Sequence, residues 1–453
     1  MWLYRAMPLI SELAVRSYYR ITVAGGRLPA EGPVLVVANH NNSLVDPALV
    51  AATLGRNVRF LAKAPLFTHP LIGWLVRGVG SVPVYRQQDD PTLVSQNLDS
   101  FRDVHRVLAA GAVVGLFPEG ISHSASRLAP LKTGAARMAI GASAQLKHDF
   151  PIVAVGLVFR DRDAFRSEAH VIVGEPFAWN DLVRDVNDRT TVRALTERIE
   201  LAMRRVSVNL EQWEDEPLVR TAEAVWRAEF GAEASPAAEV ERIRIVTDAL
   251  RELRDGSEHP WRETAIELRA HGRALRKIDL TPDDLVTTIS SGEALRWMLR
   301  KLPLLPLLPI SLVGAVFFYV PKQLAVWGGD WTAKREGDDT LVTHRILVGG
   351  VVFPMWIVVT SIAMGVWAGW GAALLFALLQ PMWAFAALAV GERRQSMWTA
   401  IRRYMLRRFI GDRLDALRAS QHALALKLRG LLERKSVVPV ALPVALPVAY
   451  PVA

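Results

Sequence analysis

The sequence predicts an α/β fold with a mixed or largely parallel sheet flanked by helices, followed by a helical region and a hydrophobic membrane hairpin. Short apolar runs typical of buried strands alternate with segments of helical spacing up to about residue 180. Charged, helix-rich sequence then continues to residue 300. Two apolar stretches, 346–370 and 371–390, are each long enough to cross roughly 30 Å of hydrocarbon.

The alternation defines a predicted sheet domain at residues 26–185. Each predicted strand is a short apolar run, and these runs lie at 34–38, 58–62, 81–85, 112–117, 152–159 and 171–173. Predicted helices separate them at 48–54, 71–79, 97–110 and 134–146. Residues 1–25 are predicted to form an amphipathic helix that either caps the core or lies on a membrane surface.

The rest of the chain is predicted to contain a helical accessory region, a membrane-embedded region, an amphipathic helix and a low-complexity tail, at 186–300, 301–410, 411–435 and 436–453. Within the membrane-embedded region, prolines break the segment 302–320, which is interpreted as re-entrant or interfacial. The stretches 346–370 and 371–390 are interpreted as two spans. A soluble alternative, in which all three apolar segments are buried in protein, stays open.

The charge of the chain bears on its partners. It has 54 Lys and Arg against 45 Asp and Glu, a net charge of +9. A basic surplus is typical of proteins that bind nucleic acid, an anionic membrane or anionic substrates, and the apolar C-terminal half favours a lipid bilayer over nucleic acid. The absence of cysteine excludes disulfides, thiolate metal sites and cysteine nucleophiles.

The orientation in the membrane follows from two further observations. No signal peptide is evident at the start of the chain. Arginines follow the second apolar stretch closely, so the positive-inside rule places the C-terminal tail in the cytoplasm. We therefore expect a bacterial inner or plasma membrane protein with an even number of crossings and a cytoplasmic N-terminal domain.

The first candidate site is the segment 39–47, Asn-His-Asn-Asn-Ser-Leu-Val-Asp-Pro, directly after the predicted strand 34–38. Ligands of open α/β sheets bind beyond the carboxyl ends of strands. His40 can accept a hydroxyl proton near neutral pH, and Asp46 on its other ring nitrogen would fix the tautomer. Their separation turns about 240° on a regular helix, so the chain must bend for them to meet. The alternative is that Asp46, before a proline, only caps a helix.

Two further strand ends carry candidate residues. Arg86 follows the strand 81–85 and could bind phosphate, although a lone arginine is more often a surface residue. The segment 117–123, Phe-Pro-Glu-Gly-Ile-Ser-His, follows the next strand and contains Glu119. Lys132 stands just before the helix 134–146, and a helix N-terminus with a lysine beside it is suited to bind an anion.

Other chemistries lack their signatures. The segment 120–124 lacks the second glycine of a serine-hydrolase elbow, and the sequence contains neither a P-loop nor a dinucleotide fingerprint. The residues His40, Asp46, Glu119 and His123 match no known spacing of metal ligands, so no metal site is predicted.

Together the motifs resemble the glycerolipid (lysophospholipid) acyltransferase superfamily. Its four motif blocks appear in order over about residues 15–180: His-x5-Asp, Gly-x5-Arg, Phe-Pro-Glu-Gly and Phe-Pro-Ile-Val-Ala-Val-Gly. The usual first block has four residues between His and Asp, and this chain has five. That spacing resembles the glycerol-3-phosphate/dihydroxyacetone-phosphate acyltransferase branch, as do Ser122-His123 and the Leu-x-Pro-x-Lys-x-Gly-x-Ala block at 128–136. Ile121 departs from the glycine or threonine usual in the superfamily.

The resemblance implies a role for each candidate residue. His40 would be the general base and Asp46 its orienting partner, and the acceptor hydroxyl would attack the acyl thioester directly. The residues that would bind the acceptor are Arg86 and Lys132 at its phosphate, with Glu119, Gly120, Ser122 and Arg127 around it. The donor would be acyl-CoA or acyl-acyl-carrier protein, and no cofactor is implied.

Three hypotheses for function follow. The first is acylation of glycerol 3-phosphate or dihydroxyacetone phosphate, favoured by the five-residue spacer and by Ser122-His123. The second is acylation of 1-acylglycerol 3-phosphate to phosphatidate. The third, from a different class, is a non-catalytic lipid-binding scaffold on a decayed acyltransferase fold. Against it argues the joint presence of the candidate residues His40, Asp46, Arg86, Glu119 and Lys132.

Overall fold

A computed structural model describes residues 2–68, 73–85, 92, 97–182, 185–210, 212–231, 235–255, 259–286, 292, 296, 307–334, 336–409 and 411–434. The chain divides into two compact units. The first consists of Met1–Trp213, Ser235–Arg244 and Thr332–Ile346. The second consists of Glu214–Ala234, Ile245–Trp331 and Leu347–Ala453.

The first unit is built on a seven-stranded sheet. Its strands are β1 (Arg20–Gly25), β2 (Val34–Ala38), β3 (Val58–Lys63), β4 (Val82–Val84), β5 (Val113–Leu116), β6 (Ile152–Phe159) and β7 (Glu168–Val173). They lie in the order β1-β7-β6-β2-β5-β3-β4. All neighbours are parallel except β6 and β7, which are antiparallel, so the sheet is mixed and mostly parallel. The predicted fold class is confirmed.

Helices cover both faces of this sheet. They are α1 (Trp2–Tyr18), α2 (Val45–Thr53), α3 (Pro65–Thr68), α4 (Gly73–Gly78), α5 (Asn97–Ala109), α6 (Gly134–Leu146) and α7 (Arg189–Val206). Every residue of β2 is buried: Leu35 and Val37 join a core with α5, α6 and α7, while Val34 and Val36 join a core with α1 and α2. A central parallel strand covered on both faces needs apolar residues throughout, which explains the unbroken apolar runs.

The structure corrects the prediction for residues 1–25. The helix ends at Tyr18, and Arg20–Gly25 forms β1, which pairs with β7 at the edge of the sheet. An edge strand with mostly exposed side chains has little hydrophobic alternation, and its partner lies far along the chain, so local periodicity gave no signal. In α1 itself Val15 is buried in the core, whereas Leu9 is 70% exposed.

The compact unit also extends beyond the predicted boundary at residue 185. Helix α7 buries Val192, Leu195 and Ile199 in the same core as α5 and α6. The residues that follow α7 also contact the sheet domain, because Asn209 Oδ1 accepts a hydrogen bond from the Leu128 N–H at 3.0 Å.

The remaining helices are α8 (Glu216–Phe230), α9 (Pro236–Asp255), α10 (His259–Lys277), α11 (Pro282–Val286), α12 (Leu307–Phe317), α13 (Tyr319–Ala333), α14 (Leu341–Ala368), α15 (Trp370–Phe409) and α16 (Gly411–Arg434). Two stretches, Asp338–Ala368 and Trp370–Gly391, are long and apolar enough to cross a membrane. A third crossing arises if α12 and α13, bent by 44°, count as one broken span. The first residues of the predicted re-entrant segment, 302–306, lie outside the described residues. The whole predicted tail, 436–453, lies outside them as well.

Polar side chains connect the two span-length helices. Gln380 on α15 is fully buried, accepts a hydrogen bond from the Thr360 hydroxyl at 3.1 Å and donates one to Ser361 Oγ at 3.0 Å. In an apolar environment such bonds stabilise helix pairs. They favour the interpretation of α14 and α15 as a membrane hairpin.

Gly156 in β6 tests how closely α7 packs on the sheet. A Cβ there would lie 1.7 Å from the carbonyl oxygen of Val206, so Gly156→Ala would force the backbone of β6 away from the end of α7. We expect a loss of stability of about 1–3 kcal/mol, typical of overpacked cores, as a lower melting temperature in detergent. Gly134→Ala is the control, because its Cβ meets no atom within 4 Å. Equal melting of Gly156→Ala and the unsubstituted protein would contradict the packing.

Candidate active site

The candidate residues lie where parallel strands end. β2 leads into Asn39 and His40, and its neighbours β5 and β6 lead into Phe117 and Arg160. All three strands are parallel, so these loops leave the same edge of the sheet. The Asn39 side chain fixes the end of β2 by accepting from the Leu157 N–H at 2.7 Å and donating to the Leu157 carbonyl at 3.0 Å.

His40 and Asp46 are brought together by a bend in the loop between them. His40 Nδ1 lies 2.9 Å from Asp46 Oδ2. The bend is at Ser43, whose φ of 45° is in the left-handed region. The turn is closed by the Val45 N–H, which donates to the carbonyl of Asn42 at 3.0 Å. The expected contact is therefore present, and it depends on a backbone conformation uncommon for a residue other than glycine.

Asp46 is fully buried and its Oδ2 is surrounded by donors. Besides His40, it accepts hydrogen bonds from the N–H groups of Asn41 at 2.8 Å and Asn42 at 2.7 Å. Burial raises the pKa of Asp46, and these donors oppose the rise. Leu44 is the N-cap residue of α2, and its side chain makes no capping hydrogen bond. Asp46 thus binds the loop and the imidazole instead of acting as the cap.

The His40 ring is held on its flat side as well. It stacks on Phe117 with 4.0 Å between ring centroids and 14° between planes. Its side chain is 19% exposed. With Nδ1 directed at Asp46, Nε2 is the ring nitrogen left to take a proton from a substrate hydroxyl.

Glu119 is a second buried carboxylate in the site, 2% exposed. Its Oε1 accepts from the His40 N–H at 2.9 Å, and its Oε2 accepts from the Ala129 N–H at 2.7 Å. His123 Nε2 also lies 2.5 Å from Oε2, and this hydrogen bond raises the pKa of His123. Both oxygens of Glu119 therefore bind protein groups, and the residue supports the loops that form the site.

Gly120 and Lys132 lie against each other. Gly120 has a φ of 72°, and a Cβ added to it would lie 2.7 Å from Lys132 Nζ. The Lys132 N–H donates to the carbonyl of Pro118 at 2.8 Å, and the side chain is exposed. The lysine thus crosses Gly120, next to Glu119, at the start of α6.

The other predicted residues differ in placement. Ser122 Oγ accepts a hydrogen bond from the Ser43 N–H at 3.1 Å, so it connects two loops of the protein. Arg127 is exposed on the loop that Asn209 holds. Arg86 lies outside the described residues, beyond the end of β4.

Sequence reasoning missed three supporting residues: Asn39, Phe117 and Arg162. Phe117 belongs to a recognised motif, but its stacking on His40 joins two loops and leaves no local signal. Asn39 and Arg162 act through bonds to distant backbone, Arg162 Nη1 donating to the Asn41 carbonyl at 3.2 Å. Among the described residues, no group of three or more His, Cys, Asp and Glu side chains could hold a metal ion.

Comparison with known proteins finds a matching family model and several relatives. A family model described as Acyltransferase matches residues 20–158, the part that carries β1 to β6. The chain is 32% identical over 129 residues to a chloroplastic 1-acyl-sn-glycerol-3-phosphate acyltransferase of Arabidopsis thaliana, covering 28% of this chain and 34% of that one. It is 24% identical to glycerol-3-phosphate O-acyltransferase 1 of Saccharomyces cerevisiae, covering 71% of this chain and 56% of that one.

A third relative is named for a different lipid. It is the lyso-ornithine lipid O-acyltransferase of Rhizobium meliloti, 36% identical over 30% of this chain and 43% of that one. The chain spans between about a third and just over half of the length of the first curated relatives, 34%, 40% and 56%. The N-terminal sheet domain therefore belongs to the glycerolipid acyltransferase superfamily.

Proposed function

We propose that this protein transfers a fatty acyl group from acyl-CoA or acyl-acyl-carrier protein to a hydroxyl of glycerol 3-phosphate or dihydroxyacetone phosphate, in phospholipid synthesis. The observation that carries the proposal is the His40–Asp46 pair, 2.9 Å apart at the carboxyl edge of the sheet, with Nε2 left for substrate. A base oriented in this way suits direct transfer between a thioester and an alcohol.

The reaction needs one base and no covalent intermediate. Nε2 of His40 takes the proton from the acceptor hydroxyl as its oxygen attacks the thioester carbonyl carbon. A C–O bond forms, the C–S bond breaks, and the leaving thiolate takes the proton from the imidazolium. Asp46 stabilises that imidazolium during the step, because its carboxylate faces Nδ1.

Cationic residues near the base would hold the acceptor phosphate. Lys132 lies across Gly120 at the N-terminus of α6, where backbone N–H groups and the helix dipole favour an anion. Arg127 is exposed on the adjoining loop. The motif resemblance adds Arg86, which lies outside the described residues. These assignments follow the motif resemblance, and they suit a substrate that carries a phosphate.

The choice of acceptor rests on the sequence. The five-residue spacer and Ser122-His123 favour glycerol 3-phosphate. The similarity to the yeast glycerol-3-phosphate acyltransferase also covers 71% of the chain, against 28% for the plastid enzyme named for 1-acylglycerol 3-phosphate. Acylation of 1-acylglycerol 3-phosphate is the second candidate, and it uses the same base.

The place of the reaction is proposed from the helices. Two long apolar helices associate the protein with a membrane. We propose a bacterial inner or plasma membrane, with the hairpin α14–α15 inserted and the sheet domain in the cytoplasm, where both donors occur. The arginines after the second span-length stretch support this orientation.

His40→Ala is expected to abolish acyl transfer, because general base catalysis contributes about 10²–10⁴-fold. The measurement is radiolabelled acyl transfer by the full chain in vesicles, with glycerol 3-phosphate, dihydroxyacetone phosphate and 1-acylglycerol 3-phosphate offered separately and both donors tried. The matched control is His148→Ala, an exposed histidine before β6. Product from the first or second acceptor, lost in His40→Ala alone, is the expected result.

Two other outcomes have distinct meanings. Product from 1-acylglycerol 3-phosphate alone would keep the mechanism and replace the acceptor. If folded protein gives no product with any donor or acceptor, the proposed acyltransferase activity is refuted and the lipid-binding scaffold is favoured.

Asp46→Asn is expected to lower kcat by roughly 10²–10⁴-fold while the KM for the acceptor stays nearly constant, because the amide cannot stabilise the imidazolium. Asp46 Oδ1 is buried without a partner among the described residues, so the amide nitrogen would cost about 1–3 kcal/mol there. Melting temperatures are therefore measured alongside the kinetics. The control is Asp181→Asn, an exposed carboxylate paired with Arg198. A raised KM at unchanged kcat would assign Asp46 to binding instead.

A further inference from the structure

Arg162 is a half-buried arginine at the same edge of the sheet as His40. It stands just beyond the end of β6, and its side chain is 19% exposed. An arginine in this position, in a protein proposed to bind a phosphate, invites assignment as a phosphate ligand. Its hydrogen bonds decide against that assignment.

All five N–H donors of the Arg162 guanidinium have protein partners. Nε and one N–H of Nη2 face the Asp163 carboxylate at 2.9 and 3.3 Å. Nη1 donates to the Asn41 carbonyl at 3.2 Å and to Ser124 Oγ at 2.5 Å. The second N–H of Nη2 donates to the Asp338 carbonyl at 3.3 Å. No donor remains for a substrate phosphate.

The partners belong to different parts of the first unit. Asn41 follows His40, and its own N–H donates to Asp46 Oδ2 at 2.8 Å. Ser124 lies on the loop after the Phe-Pro-Glu-Gly motif. Asp338 opens the first span-length stretch, Asp338–Ala368. One guanidinium therefore donates hydrogen bonds to three segments: the backbone beside His40 at Asn41, the loop that carries Ser124, and the start of the apolar stretch at Asp338.

The start of that helix is part of the sheet unit. Val342, in the first turn of α14, is fully buried in the core with α1 and α2. Arg345 Nη1 donates to the Asp163 carbonyl at 2.8 Å and to the Tyr18 hydroxyl at 3.2 Å. Helix α14 then continues without a break to Ala368. The carbonyl of Asp338 is thus held in place by a helix that is long enough to cross a membrane.

We infer that Arg162 is a positioning residue that ties the loop carrying His40 to the start of the first membrane helix, so that anchoring of this helix helps to set the geometry of the base. The inference rests on the proposed function only for its kinetic consequence. Lysine cannot replace arginine here, because a single ammonium has three donors at one point and no planar fork.

The kinetic test compares Arg162→Lys with Arg160→Lys in the full chain in vesicles. Arg160 is exposed and pairs with Glu168, so its replacement should leave kcat unchanged. We expect Arg162→Lys to lower kcat by about 10²-fold, the effect of misplacing a reacting group by 1 Å, with a KM for the acceptor within about twofold of the original. A raised KM at unchanged kcat would overturn the inference and make Arg162 a substrate ligand.

Hydrogen exchange tests the same connection without any catalysis. In Arg162→Lys, peptides that cover 39–45 and 336–342 should both exchange faster, because both segments lose a hydrogen bond to the guanidinium. Arg160→Lys should leave both unchanged. Faster exchange at 39–45 alone would refute the connection to the membrane helix. If the unsubstituted protein showed no acyl transfer but this exchange pattern held, the proposed function would fail and the connection would stand.

A variant at the membrane side gives an independent test. Gly337, beside Asp338, has a φ of 119°, so Gly337→Ala strains the segment that carries the Asp338 carbonyl. We expect a lower kcat, and little further loss when Gly337→Ala is added to Arg162→Lys, since both act on one connection. Gly350→Ala, in α14 with no atom within 4 Å of its Cβ, is the control. Fully additive losses, or no loss in Gly337→Ala, would contradict the inference.

Discussion

The carboxylate of Asp46 is buried at the first turn of α2, where three hydrogen-bond donors converge on one of its oxygens. A carboxylate without water around it is tolerated only when donors replace the water. Two of those donors are backbone amides, so the loop has to curl back over the helix start, which Ser43 permits with its positive φ. The same curl turns Nδ1 of His40 toward Asp46. The orientation of the proposed base is therefore a consequence of satisfying one buried charge.

A second constraint comes from the neighbouring strand. β2 and β5 are parallel neighbours, so the loops that follow them leave side by side. Glu119 accepts the His40 N–H, while the His123 N–H donates to the His40 carbonyl at 3.1 Å. The backbone of the proposed base is thus held on both sides by one short segment, and Phe117 supports its ring. Such support limits the positions that the imidazole can take, which is what a base needs for efficient proton transfer.

The parts predictable from the sequence are those whose signal is local. Unbroken apolar runs identified the central strands, because a strand buried on both faces must be apolar throughout. The pairing of His40 with Asp46 was proposed from the chemistry of the two side chains and favoured by the motif resemblance, and the need for a bend between them was argued from helix geometry. Strand β1 was not predictable, since its stability comes from β7 across the sheet edge. The hydrogen bond between the Ser43 N–H and Ser122 Oγ was not predictable either. A hydrogen bond between residues far apart in the chain leaves no periodicity in the sequence.

The proposed substrates place opposite demands on the site. A glycerol phosphate is charged and soluble, whereas the acyl chain is apolar, so the base has to work where both can reach it. Here the first turn of α14 is buried in the core through Val342, and the helix continues unbroken into apolar sequence. Val342 packs in the same core as Val45, which directly precedes Asp46, so the start of this helix and the loop of the proposed base are held by one set of packing contacts.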